Sequence, residues 1–352
     1  MLKRLILLAM ALVMALTLTA CGGGDNAGAP KSPQKGDEVK LLGSESAKTH
    51  LKVGTTTAPD GHYVLGLIEM QKKLEELSGG TMTLDIYPNS ALGGESDMLD
   101  NVSLGTQDMV LSSTGPIPTF SDATTNWGTL DLPYLFESRE EAYKVLDGEI
   151  GKELLGEFKG TGIKAIGFWE NGFRELTNNK KEIKTPADLA GMKIRTMENH
   201  THMASYAALG TTPTAMAWGE IFSALQQGTV DGQENPLAII LTAKVYEVQK
   251  YISMIDLFYS PCVLMINEDT YNKFTDEQKK WFDEAAEYGK MKEREISKNI
   301  DDTARERLTA QGIVFTDVNK AEWMKATESV YQDSSLGIDQ NLLSRIRAIT
   351  GR

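Results

Sequence analysis

Cysteine is nearly absent: Cys21 and Cys262 are the two in 352 residues, too few for a disulfide framework or a thiolate metal site. Histidine is equally sparse, limited to His50, His62, His200 and His202. His200 and His202 stand at i, i+2, which do not share a helix face, and no HExxH surrounds them, so no metal site is expected. P-loop, GxSxG and GxGxxG sequences in a strand–turn–helix context are missing as well. The enzyme classes built on them therefore have no support, and no cofactor is expected. Carboxylate pairs such as Glu95 and Asp97 occur throughout an acidic chain and do not single out a catalytic dyad. A basic patch is lacking too. The formal net charge is −13, which argues against a nucleic-acid partner. The same acidity repels anions on average, so any anion site must rest on local cations. No repeat with a period of 20–50 residues is present.

Long apolar runs are missing except at the N-terminus. There Lys3 and Arg4 precede a nearly unbroken apolar run from Leu5 to Leu18, too short to span a bilayer comfortably. Leu18-Thr19-Ala20-Cys21 matches a bacterial lipoprotein box. Residues 1–20 are therefore read as a lipoprotein signal peptide and Cys21 as the lipidated residue. Residues 21–47 are rich in Gly, Ala, Pro, Ser and Lys and read as a flexible tether. Together they place a soluble domain outside the cell's cytoplasm, held to the membrane through the lipid alone.

The remaining composition, 41% hydrophobic and 24% charged, is that of a folded globular chain. Residues 50–54 read as a strand. Val64, Leu67, Met70, Leu74 and Leu77 give helical spacing over 62–77, and Met82, Leu84 and Ile86 alternate as in a strand. A helix over 95–105 and a strand at 109–111 follow. This β-α-β-α-β order predicts a parallel or mixed sheet covered by helices. A second alternating set begins near 172, with a strand at 192–196, helices at 201–209 and 218–227 and a strand starting at Val230. Thr275-Asp276-Glu277-Gln278 is a capping box opening a charged helix to about 311, expected to be broken or kinked in a compact body. The fold class expected is α/β, two lobes with a ligand cleft at the carboxyl ends of their strands.

Arginine stands out among the candidate binding residues. Arg174 and Arg195 lie in apolar, strand-like surroundings, and a guanidinium at a strand end offers a planar fork to a carboxylate. A structural ion pair with an acidic side chain accounts for either residue equally well. Cys262, between Pro261 and Val263, reads as a small buried apolar residue.

The stretch from Pro213 to Pro236, through Trp218-Gly219-Glu220-Ile221-Phe222, Gly228-Thr229-Val230-Asp231-Gly232 and Gln233-Glu234-Asn235-Pro236, resembles the solute-binding proteins of TRAP (tripartite ATP-independent periplasmic) transporters. Gly191 to Arg195, Leu92-Gly93-Gly94-Glu95, Leu132-Pro133-Tyr134-Leu135-Phe136 and Asn171-Gly172-Phe173-Arg174 match that family in order and spacing, over residues 48 to 330. The resemblance implies a periplasmic-binding-protein fold of type II-like architecture with a long bridging C-terminal helix. Its cleft closes on a small organic carboxylate, a dicarboxylate, sugar acid or keto acid, for delivery to TRAP membrane permease subunits. It implies Arg195 as the principal carboxylate clamp, Arg174 as a second cationic contact and Asn235 as an amide partner. Trp218 becomes an aromatic cleft wall, with core packing as its alternative. Glu95 faces ligand hydroxyls or amines, or else serves its helix N-terminus. His62, Ser113 and Thr114 are weaker candidates on loops after strands. Glu198, beside the clamp, would disfavour a second carboxylate if it faces the cleft. The expected lobes are 48–171 plus 260–299 and 172–259 plus 300–352, hinged at 171–173 and 259–261 with Gly172 and Pro261, in a monomer.

Overall fold

The computed structural model of the chain describes residues 41–351. The expected signal peptide 1–20, Cys21 and most of the expected tether 21–47 lie outside the described residues. Eleven strands are formed among the described residues: β1 (Thr49–Gly54), β2 (Met82–Tyr87), β3 (Met109–Ser113), β4 (Ile163–Phe173), β5 (Glu175–Asn178), β6 (Lys193–Thr196), β7 (Thr212–Ala215), β8 (Gly232–Asn235), β9 (Tyr251–Met254), β10 (Tyr259–Asn267) and β11 (Val314–Asp317). They make two mixed sheets, in the orders β2-β1-β3-β10-β4 and β11-β9-β5-β8-β6-β7. Each sheet defines one lobe.

In the first sheet β1 runs parallel to β2 and β3, and β10 is antiparallel to β3 and β4. The helical spacing over His62–Leu77 buries Val64, Leu67, Met70 and Leu74 against Leu51, Leu84 and Leu111 of this sheet. In the second sheet β6 is parallel to β7 and β8, while β5 is antiparallel to β8 and β9. The strand expected from Val230 begins at Gly232 instead. Val230 packs with Ile221 and Leu225 in the core below the sheet. A Cβ on Gly232 would lie 2.1 Å from the Thr177 carbonyl, so the chain joins the sheet where it has no side chain.

The chain passes between lobes at Phe173–Arg174, where β4 gives way to β5, and back through 255–258 into β10. Gly172 has φ +125°, a conformation that excludes ordinary side chains, and a Cβ there would meet Pro236 at 3.2 Å. The β4–β10 register shifts between Ser260 and Pro261. Pro261 itself lies within β10 of the first sheet, and the return crossing precedes it at 255–258.

Two expectations are corrected. The charged helix is not broken: Asp276–Ala310 is one helix of 35 residues, about 52 Å at 1.5 Å per residue. It stays helical because both lobes cover it. Phe282, Ala285 and Ala286 enter the first lobe's core, and Ala304 and Leu308 the second's. Midway, Asp301 accepts from the Ala238 amide at 2.8 Å and pairs with Arg139, joining the two sides. The second correction concerns the C-terminus. Residues 300–352 were expected in the second lobe, yet Leu342, Leu343 and Ile346 of helix Gln340–Thr350 bury against Val145, Leu146 and Leu154 of the first. The helix is amphipathic, and the apolar face it needs lies across the molecule.

Candidate functional site

Between the sheets lies a cavity of about 330 Å³ including its mouth. Among the residues predicted from sequence, Glu95, Ser113, Arg174, Arg195, Trp218 and Asn235 line it. They come from both lobes, Glu95 and Ser113 from the first, Arg195, Trp218 and Asn235 from the second, with Arg174 at the crossing.

Arg195 is the penultimate residue of β6 and is 3% exposed. Its Nε and Nη2 donate to the Met216 carbonyl at 2.9 and 2.6 Å, which fixes the guanidinium plane. The Trp218 ring centre lies 5.9 Å from that plane's carbon. No carboxylate among the described residues pairs with Arg195. Burial lowers its pKa to about 10, with Arg174 acting in the same sense and Glu234, Glu95 and Glu198 opposing. It is therefore a cation at neutral pH, desolvated and without a direct counterion, a costly state that an arriving anion relieves.

Arg174 is in a different position. Its Nη2 donates to Glu234 Oε1 at 3.0 Å and to the Glu234 carbonyl at 2.8 Å, and its Nε pairs with Oε2. The antiparallel pairing of β5 with β8, Leu176 opposite Glu234, brings the two together. The ion-pair reading thus holds for most of this guanidinium. Nη1 remains buried without a protein partner, and the residue lines the cavity. Burial would raise the Glu234 pKa, but Arg174 and His202 outweigh it and bring it to about 2. His202 Nδ1 lies 3.6 Å from Glu234 and Nε2 3.5 Å from Asp131, with the ring stacked on Phe258. Burial disfavours its charged form, but the Asp131 and Glu234 carboxylates beside it prevail and raise its pKa.

Opposite these cations, Glu95 accepts from the Ser113 amide and hydroxyl, both at 2.7 Å. It opens helix Glu95–Ser103, where the dipole favours its charge. The Asn235 amide donates to Gln233 Oε1 at 2.6 Å, which orients its side chain at the cavity wall.

Two predicted residues do not reach the cavity. His62 is fully buried on the core face of its helix, 3.8 Å from Glu293, and burial and then Arg139 lower its pKa to about 3. The next residue, Tyr63, about 100° further round the helix, lines the cavity in its place. Thr114 turns the opposite way from Ser113, its hydroxyl 3.4 Å from the Pro261 carbonyl. Glu198 does not line the cavity either: it accepts from Ser96 at 2.9 Å across the cleft.

Thr56, Thr57, Tyr63, Met197 and Ile239 are lining residues that sequence reasoning did not single out, and Asn171 entered only as part of a motif. The buried Asn171 Oδ1 and Thr57 Oγ1 have no protein partner. The cavity therefore offers a cation, spare donors and spare acceptors within one small volume. Cys262 is buried in β10, and burial pushes its thiol pKa well up, as suits a packing residue. Among the described residues no cluster of metal-ligating side chains occurs, and no helix is long and apolar enough to cross a membrane.

A two-lobed α/β body with one cavity lined by polar side chains from both lobes is an architecture suited to holding a small solute. The family comparison agrees: the chain belongs to the bacterial extracellular solute-binding protein family 7, the DctP family, matched over residues 53–336. It is accordingly a solute-binding protein of the TRAP type. A solute-binding protein from Verminephrobacter eiseniae (strain EF01-2) is 38% identical over 86% of this chain and 90% of its own length. The structure of a TRAP periplasmic solute-binding protein from Polaromonas sp. JS666, bound to D-erythronate, superposes with TM-score 0.82 at 38% identity, covering 85% of this chain and 98% of that one. One from Sulfurospirillum deleyianum DSM 6946 with bound succinate gives 0.82 at 29% identity, covering 86% and 99%.

Proposed function

We propose that this protein captures a small hydroxylated monocarboxylic acid by closing its lobes on it. Arg195 holds the carboxylate, Arg174 Nη1 and the Asn235 amide contact the same end, and Trp218 forms the wall. Glu95 and Asn171 accept from ligand hydroxyls. The observation that carries this reading is the buried Arg195 with no counterion, facing a carboxylate, Glu95, across a small cavity. Arg174 is neutralised by Glu234, so Arg195 is the cation left for a ligand carboxylate, and a second carboxylate would meet Glu95. D-erythronate, bound by the Polaromonas relative, has this chemistry; succinate, bound by the Sulfurospirillum relative, does not.

Closure rotates 48–171 plus 260–299 against 172–259 and the remainder of the second lobe, about the crossings at Gly172 and 255–258. It removes water and strengthens each charged contact. The protein acts as an extracytoplasmic monomer held by a lipid on Cys21, and delivers its ligand to a TRAP membrane permease. The lipoprotein box supports the anchor, and a Cys21→Ser chain that still incorporates labelled palmitate and stays with membranes would contradict it. A thermal-shift screen of aldonates, keto acids and dicarboxylates, followed by calorimetry, tests the ligand class. Ligand at 100 times its Kd raises stability by about 2.7 kcal/mol. Hydroxylated monocarboxylates are expected to give the largest shifts, and succinate binding more tightly than D-erythronate would overturn the reading.

A further inference from the structure

A second hollow, about 730 Å³ with its mouth, adjoins the cavity and shares Thr56 and Trp218 with it. The first lobe contributes Ala58, Asn89 and Ser90, and the second contributes Gly219, Phe222 and Lys244 among others. Thr56 and Trp218 thus form the wall common to the inner cavity and this outer hollow. Lys244 is the cation lining the outer chamber. It is exposed and pairs with no carboxylate among the described residues. The acidic residues on the same short helices, Glu220 and Glu247, are exposed and do not line the hollow.

The backbone of this chamber is unusual. Five described residues other than glycine have positive φ, and Asn89 (55°), Ser90 (56°) and Lys244 (55°) line the outer hollow. Such conformations cost free energy and persist where the fold holds them in place. The buried Ser90 hydroxyl has no protein partner, and a Cβ on Gly219 of the facing lobe would lie 3.9 Å from it. Lys244, Trp218 and Arg195 all stand on the second lobe, so their order along the path does not depend on whether the cleft is open or closed. Val245 and Trp218 pack in the same core cluster.

We propose that the outer chamber is an anion-capture subsite. A carboxylate is first held at Lys244, then passes Trp218 to reach Arg195. The proposal rests on the carboxylate reading of the inner site but adds a site that reading does not require. An acidic protein repels its own anionic ligand at a distance, and a cation at the entrance reverses that field locally. Unit charges ~7 Å apart in water attract by about one RT, so Lys244 raises the local anion concentration roughly two- to threefold.

Iodide quenching of Trp218 fluorescence tests this without a known ligand. Trp281→Phe leaves Trp218 as the accessible indole, because Trp127, Trp169 and Trp323 are at most 1% exposed. Lys244→Gln in that background is expected to cut the iodide quenching constant about two- to threefold at low salt and to leave acrylamide quenching unchanged. The same comparison in an Arg195→Ala background separates the two sites, since Arg195 also lies near the ring. Loss on Lys244→Gln in both backgrounds supports the outer subsite. Quenching that responds to Arg195→Ala alone overturns it and leaves the inner site standing. Quenching that responds to neither variant overturns it and counts against Arg195 as an anion site too. Unchanged far-UV dichroism and unfolding midpoint establish that each variant is folded.

Discussion

Replacing Glu234 by glutamine tests the electrostatic design of the cleft. The substitution keeps the shape and removes the charge, leaving Arg174 buried with no counterion and His202 with Asp131 alone. Breaking a buried ion pair from one side costs about 3–5 kcal/mol. The titration of Glu234 gives a matching figure. Its pKa falls from an ordinary 4.5 to about 2, and at 1.36 kcal/mol per unit that is about 3 kcal/mol of native-state stabilisation. Because the folded-state pKa is depressed, this contribution is fully present above pH 4.5 and is lost as pH falls toward 2. Urea denaturation of wild type and Glu234→Gln at pH 7 is expected to differ by about 3 kcal/mol, with the difference shrinking as pH falls from 4.5 toward 2. The variant also frees Arg174 for a second ligand carboxylate, so succinate should gain affinity relative to D-erythronate. A stability difference below about 1 kcal/mol at pH 7 would refute the reasoning, since Arg174 would then not depend on this carboxylate.

Glu95→Gln removes the charge that faces the arginines while keeping an acceptor for Ser113. Calorimetry should find D-erythronate weakened by about 1.5–3 kcal/mol, as for one charged hydrogen bond, and discrimination against succinate relaxed. Gly172→Ala forces a side chain into φ +125° beside Pro236 and should lower unfolding free energy by about 1–3 kcal/mol in denaturant titrations. Wild-type stability there would mean that the crossing adopts another conformation.

The local elements were legible where one segment carries its own signal. The helix over 62–77 follows from apolar residues at helical spacing, and the start of the long helix from the Thr275–Gln278 box, both bonds of which form. Its continuity was not legible, because what keeps 35 residues helical is burial against two lobes built from distant sequence. The site was half legible for the same reason. Arg195 and Asn235 stand in recognisable motifs. Arg174's partner, by contrast, lies 60 residues away, and only the β5–β8 register brings Glu234 to it. The choice between His62 and Tyr63 depends on helix rotation, which apolar spacing fixes to within about one residue, too coarse to say which neighbour meets the cleft. Thr57 carries no pattern at all and Asn171 entered only within a motif; their unpartnered oxygens matter only once both lobes are assembled around them.

The central claim is that a desolvated arginine without a counterion holds the ligand's carboxylate. Calorimetric titration of D-erythronate into wild type, Arg195→Lys and Arg195→Ala, at matched salt and with unfolding midpoints compared, tests it most directly. Arg195→Ala should lose about 2–5 kcal/mol, roughly 30-fold to several thousandfold in Kd, and Arg195→Lys should recover part of it. A correctly folded Arg195→Ala protein that binds with wild-type affinity would contradict the account.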